Sequence, residues 1–230
     1  MLAEMVSRGS RVADVGCDHG FLSIYLVQKG ISPHVLAMDV RKGPLAAAAA
    51  HIEGCGLGAY IETRLSDGLE GMDEAEADTA VCAGMGGRLM ERILTESMEK
   101  ARGLKELILQ PQSELKEFRT FLRKAGFRIT DEDAVYEEGK YYFAMRAVYS
   151  GNRQEKSGPE EAEQALFDSY GELLLRRKHP VLKQYLLFQK EVTDKLQGRL
   201  TAGASERAAA RLAEVRQEQA ALEAALEMFE

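Results

Sequence analysis

The chain has 230 residues, enough for one full domain and a smaller appendage, with 37 acidic against 30 basic side chains and a net charge of -7. No apolar run reaches the roughly 20 residues that cross a bilayer. The opening MLAEMVSRGS lacks the apolar core of a secretory signal, so a cytoplasmic protein without a membrane partner is expected.

In chain order, RVADVG reads as a strand ending in a glycine turn, and FLSIYLVQKG as a helix closed by Gly30. PHVLAMDV is a second strand, followed by a helix starting near Pro44 and carried by the alanines at 46–50. YIETRLSDG, ADTAVCAGMGG and KELILQP supply three more strands, with helices predicted over Arg88 to Lys100 and Ser113 to Ala125. Strands alternating with helices imply βαβ units around a parallel sheet. GFRITDEDAVYEEGKYYFAMRAVY is a hairpin signal, so an antiparallel edge is expected on an otherwise doubly wound α/β sheet.

The domain so defined covers 1–150. SGNRQEKSGPEE is polar and holds glycines and a proline, which marks a linker at 151–158. The remainder, 159–230, reads as entirely helical and coiled-coil-like. Leu166, Tyr170, Leu173 and Leu174 share one helical face. Val181, Leu182, Tyr185, Leu186, Val192, Leu196 and Leu200 keep near-heptad spacing after Pro180, and Leu212, Val215, Leu222 and Leu226 face inward on a last helix after TAGAS. A homodimer through these helices is one expectation. The signs of charge are also segregated. Between Gly171 and Leu200, Arg176, Arg177, Lys178, Lys183, Lys190, Lys195 and Arg199 outnumber Glu172, Glu191 and Asp194. That basic run is either a solvated helix face or a nucleic-acid contact.

Cys17, Cys55 and Cys82 have no CxxC pairing and no histidine cluster near them, and are expected to be reduced, buried thiols, with no metal site. The first glycine turn carries the chemistry. Asp14-x-Gly16-x-Asp18-x-Gly20 is a strand-turn-helix of the kind that cradles phosphate, yet two carboxylates sit in it and would oppose a pyrophosphate. S-adenosylmethionine has no phosphate and carries an ammonium and a sulfonium, so the carboxylates become assets while the glycines admit close backbone approach. Asp39 ends the second strand, where an acid accepts from ribose hydroxyls. Asp67 of SDG ends the third, placed for an adenine amino group, and CAGMGG leaves room at the end of the fourth. A helix N-cap is the competing role for Asp18, Asp39 and Asp67, a tight turn for Gly84, Gly86 and Gly87, and a structural hydrogen bond for His19.

ADVGCDHGFLSIYL, DVRKGPLAAA, SDGLE, AGMGG, LILQPQ and EEGKYYFAMRAVY together resemble the bacterial tRNA (adenine-22-N1)-methyltransferases, in order from Val12 to Val148 and more weakly through YGELLLRRKHPVLKQYL. The resemblance implies a class I, Rossmann-like methyltransferase sheet and methyl transfer from S-adenosylmethionine to N1 of an adenine in the D arm of tRNA. Cofactor contacts are then expected at Asp14, Gly16, Cys17, Asp18, His19, Gly20, Asp39, Val40, Asp67 and Gly68, with Ala83, Gly84 and Met85 bordering the methyl group. Phe21 replaces a usual tyrosine, Gln112 replaces a usual asparagine after LQP, and the family's leading basic helix is expected to be short. N1 sits inside a Watson–Crick pair, so the base must be flipped or unpaired. Asp18, His19 and Gln112 are the candidates for touching it, and Arg176, Arg177, Lys178 and Lys183 for meeting tRNA phosphates. The competing readings are a small-molecule methyltransferase whose helices dimerise, a non-enzymatic RNA-binding protein with a relic pocket and, least favoured by the charges, a nicotinamide enzyme.

Overall fold

The computed structural model describes residues 1–151, 159–201 and 206–230. In chain order the elements are α1 (Leu2–Met5), β1 (Val12–Val15), α2 (Phe21–Gln28), β2 (Val35–Asp39), α3 (Lys42–Gly54), β3 (Ile61–Leu65), β4 (Thr79–Met85), α4 (Gly87–Glu96), α5 (Met98–Gly103), β5 (Glu106–Pro111), α6 (Leu115–Lys124), β6 (Phe127–Glu137) and β7 (Lys140–Tyr149), then α7 (Glu161–Tyr170), α8 (Glu172–Arg176), α9 (Pro180–Thr201) and α10 (Glu206–Glu227). The linker expected over 151–158 falls, apart from Gly151, outside the described residues, as does most of TAGAS.

One seven-stranded sheet runs β3-β2-β1-β4-β5-β7-β6. β1 lies parallel between β2 and β4, and β7 joins β5 antiparallel. Strands buried on both faces read as unbroken apolar runs, which is why VADV and VLAMD were legible. Alternate side chains go to opposite faces. Leu107 and Leu109 enter a core with Met90, Leu94, Phe118 and Leu122, whereas Ile108 enters one with Ile24, Leu26 and Ile52. Chain order reverses between β1 and β4, so their carboxyl ends form the crevice where open α/β sheets take ligands. The β6–β7 turn is Glu138–Gly139, with φ +49° and +80°; positive values at both central positions are the type I′ hairpin requirement.

Two helices depart from the sequence pattern. The single helix expected over Arg88 to Lys100 breaks at Ser97, whose backbone (φ -120°, ψ 35°) ends α4 and re-aims α5 so that Ala101 enters the core. The shared face expected from Leu166 to Leu174 breaks at Gly171 (φ +89°), a conformation side chains rarely adopt; Leu174 is buried as expected, but Phe167 and Leu175 join it while Leu166, Tyr170 and Leu173 are only half-buried.

The chain forms two compact units, one of the sheet and its helices, the other containing Ala134–Tyr141 and the C-terminal helices. Within the latter, α9 and α10 run antiparallel, tied by Lys190–Glu223 at 3.0 Å and Asp194–Gln219 at 2.9 Å. Their seam takes Leu182, Leu186 and Thr193 against Val215 and Leu222; Val192, expected inward, is 43% exposed. Thr193 can be buried there because its hydroxyl donates back to Gln189 and Lys190 carbonyls.

A buried ion pair ties α6 to the hairpin: Arg119 Nε donates to Glu132 Oε1 at 2.9 Å, with side chains 3% and 1% exposed. Arg119→Leu takes this charged partner from the buried Glu132 carboxylate and is expected to cost about 3–5 kcal/mol in urea denaturation, while Arg119→Leu with Glu132→Leu recovers most of the loss.

Candidate functional site

The site grows from the end of β1. Gly16 turns the chain at φ +74°, and the amides of Gly16 and Cys17 both donate to the Met38 carbonyl at 2.8 Å. The next amide, Asp18, donates to Asp39 Oδ2 at 3.3 Å, and Gly20 donates back to Cys17 at 2.7 Å. The amides of Gly16, Cys17, Asp18 and Gly20 are thus taken up by β2 and by the turn itself. A phosphate cradle needs such amides turned outward, so these four are withdrawn from one. Glycine is required at 16 twice over, because a Cβ there would stand 2.5 Å from Met85 Cε at the end of β4. At Gly20 (φ +73°) a Cβ would lie 3.1 Å from that of Ala48, so α2 starts in close contact with α3.

Three carboxylates meet around this turn. Asp14 is 4% exposed and accepts from Ser23 Oγ at 2.6 Å. Burial pushes its pKa up to about 6; Ser23 opposes the shift and the Asp39 charge adds to it. Asp39, also 4% exposed, accepts from the Asp18 amide on one oxygen and from the Arg41 amide, at 2.8 Å, on the other. Asp18 is 57% exposed at φ +48°, with His19 and Arg41 each 3.6 Å away. Neither Asp18 nor Asp39 is a helix cap: Gly20 precedes α2 and Arg41 precedes α3, both without a side-chain cap bond. What such an edge holds is a ligand bearing cationic or hydroxyl groups. Val40 beside it is exposed. Burial, then the Asp14 charge, pushes the Cys17 thiol up to about 12, so it is protonated and unreactive. Cys82 is buried likewise, whereas Cys55, expected inside, is exposed.

The expectations for β3 fare differently. Asp67 is held in a two-pronged pair with Arg92 of α4, at 3.0 and 3.3 Å, a partner the sequence reading did not foresee for the carboxylate assigned to an adenine amino group. Gly68 (φ +58°) packs on Ile93, where a Cβ would come within 2.7 Å.

At the β4 end the ladder with β5 slips between Ala83 and Met85, making Gly84 (φ +76°) a bulge. Its amide donates to Gln110 Oε1 at 3.0 Å; Gln110, 5% exposed, also donates to the Pro111 carbonyl at 3.3 Å. Gln110 escaped the sequence reading, although a buried amide at a strand end is itself a sign of a fixed turn. Gln112 donates its backbone amide to Met85 at 2.8 Å, and its side-chain nitrogen lies beside Gly84. The structure therefore gathers Asp14, Gly16, Cys17, Asp18, Asp39, Gly84, Met85 and Gln112 at one sheet edge, with His19 exposed on the turn. Among the described residues, no three histidine, cysteine or acidic side chains gather as a metal cluster.

The basic candidates lie in the other unit. Arg176 pairs with Glu172 at 2.8 Å and stands over the Phe167 ring; Arg177, Lys178 and Lys183 are exposed around the tight turn between α8 and α9. No helix among the described residues is long and apolar enough to cross a membrane.

Comparison with known proteins gives four matches of note. Residues 1–145 match a family model described as a methyltransferase domain. The tRNA (adenine(22)-N(1))-methyltransferase of Bacillus subtilis is 36% identical over 146 residues, covering 64% of this chain and 61% of that protein; the chain thus spans about three fifths of the curated relatives it matches. The crystal structure of the B. subtilis m1A22 tRNA methyltransferase aligns with a TM-score of 0.84 at 27% identity, over 100% of this chain and 96% of that one. A Streptococcus pneumoniae structure assigned to the same activity, in complex with S-adenosyl-L-methionine, gives 0.82 at 30% identity over 100% and 96%.

Asp14 also carries a stability consequence. Its folded pKa is raised from 3.8 to about 6, so the folded state binds the proton more tightly. The stabilisation is full below about pH 4 and is lost as pH rises through about 6, roughly 3 kcal/mol in all. Asp14→Asn is expected to outlast the parent in urea at pH 7.5 by up to that amount, with the difference closing by pH 4.

Proposed function

The chain belongs to the methyltransferase-domain family, among the tRNA (adenine-22-N1)-methyltransferases, and we propose that it methylates N1 of adenine 22 in the D arm of tRNA with S-adenosylmethionine as donor. The observation that carries this reading is the acid-lined edge formed by Asp14, Asp18 and Asp39 around Gly16.

The residues fit the donor. Asp39 keeps lone pairs for ribose hydroxyls after accepting two backbone amides, and Asp14 and Asp18 favour positive charge at the Gly16 turn. Bound there, S-adenosylmethionine supplies a methyl group on a sulfonium. The protein's own part is placement. Gln110 fixes the Gly84 bulge and thereby the open end of β4, and Met85 closes against Gly16. Asp18, His19 and Gln112 stand exposed where an extruded adenine is to be received, so that proximity and polar contact supply the rate. Arg176, Arg177, Lys178 and Lys183 meet tRNA phosphates, and the work is placed in the cytoplasm. Exposed Leu187, Phe188 and Val192 on α9 support pairing of two copies through the helical unit.

The test is incubation of the full chain with labelled S-adenosylmethionine and unmodified tRNA transcript, followed by nucleoside analysis. 1-Methyladenosine is expected from a transcript with adenine at 22 and not from one with guanine. Changing Arg176, Arg177, Lys178 and Lys183 together to Gln is expected to raise KM for tRNA at least about tenfold and flatten its salt dependence, leaving cofactor affinity unchanged.

A further inference from the structure

The sheet unit carries an aromatic face that neither its core nor the site above uses. Phe21 is 65% exposed, the most of any large hydrophobic side chain among the described residues, and Tyr25 is 45% exposed. They sit one helical turn apart on α2, about 6 Å along its axis. Lys29, four residues on, places its ammonium over the Tyr25 ring at 5.8 Å. From α3, His51 stacks on Phe21 with centroids 5.1 Å apart and planes at 16°, and His19 lies 5.8 Å from the same ring.

This face is fixed in place. A carbonyl only accepts, so the 3.0 Å contact between His51 Nδ1 and the His19 carbonyl puts the proton on Nδ1 and holds the ring in orientation. The close approach of Gly20 to Ala48 brings the start of α2 within a turn of His51 on α3. The rings therefore begin where the glycine turn ends, and run outward to a cation. The adjoining carboxylate, Asp18, is already accompanied by Arg41 and His19.

Resting on the tRNA reading above, we infer that Phe21, Tyr25 and His51, with Lys29, form a stacking platform for unpaired nucleotides flanking the methylated adenine. Every base has a π-face, so stacking on exposed rings binds single strands whatever their sequence, and an ammonium at the end of the row meets the backbone. A helix reading N1 must open its pair, and the bases freed beside it need a surface. An apolar patch for another protein would not need a cation seated on its ring.

The test uses the full chain with Tyr25→Leu, which keeps the apolar side chain but removes the ring, and Tyr25→Phe, which keeps the ring. Expected are an approximately tenfold rise in KM for tRNA in Tyr25→Leu, with kcat and cofactor affinity within about twofold, and near-parental values in Tyr25→Phe. A transcript carrying 2-aminopurine next to position 22 should be quenched on binding the parent and not Tyr25→Leu. Unchanged KM and quenching in Tyr25→Leu, with the parent active, overturn the platform alone. A parent dimer that Tyr25→Leu dissolves without altering KM assigns the face to a second copy and overturns it too. A parent that methylates no tRNA overturns the proposed function and the platform together.

Discussion

The ligand edge depends on one main-chain acceptor, the Met38 carbonyl. An open parallel sheet normally leaves the carboxyl ends of its strands with free peptide groups, and the turn after β1 is where anions are most often caught. Here the Gly16 and Cys17 amides both bend to Met38, which is possible only because residue 16 adopts a left-handed conformation. That double bond folds the turn over the end of β2 and delivers the Asp18 amide to Asp39. The carboxylates cluster as a result, and the Gly16, Cys17 and Asp18 amides are withdrawn from any anion in the same act.

The strands were legible because burial on both faces writes itself as apolar runs stopped by glycine, and the acids were legible because they interrupt those runs at the ends. What depended on pairing between distant segments was not. Asp67 meets Arg92 only once α4 has packed against the loop after β3, and Gln110 meets the Gly84 amide only once β4 and β5 are in register. The helix breaks at Ser97 and Gly171 are decided by which side chains the core accepts, a tertiary matter that a continuous helical pattern conceals. At Thr193 the count of apolar residues misled by one position, since Val192 looked the better seam residue until the threonine hydroxyl found its carbonyls.

The net charge of -7 hides two groups of opposite sign. Asp14, Asp18 and Asp39 gather around the Gly16 turn, and Arg176, Arg177, Lys178 and Lys183 around the α8–α9 turn. Each group lies in its own compact unit, so the sum over the chain describes neither.

Asp14 shows how this division bears on stability. Burial is the largest cause of its raised pKa, ahead of the neighbouring Asp39 charge, so the strain is one of missing solvation more than of mutual repulsion. A second cation fixed in the protein would relieve it permanently, but would also make the edge indifferent to the charge of its ligand. With the uncharged Ser23 hydroxyl and amide as its donors, Asp14 is relieved further when something positive arrives from outside, and the free energy lost on folding then reappears as preference for a cation. Binding of such a ligand near pH 6 must therefore release protons, since the charge that favours the carboxylate draws its pKa back down.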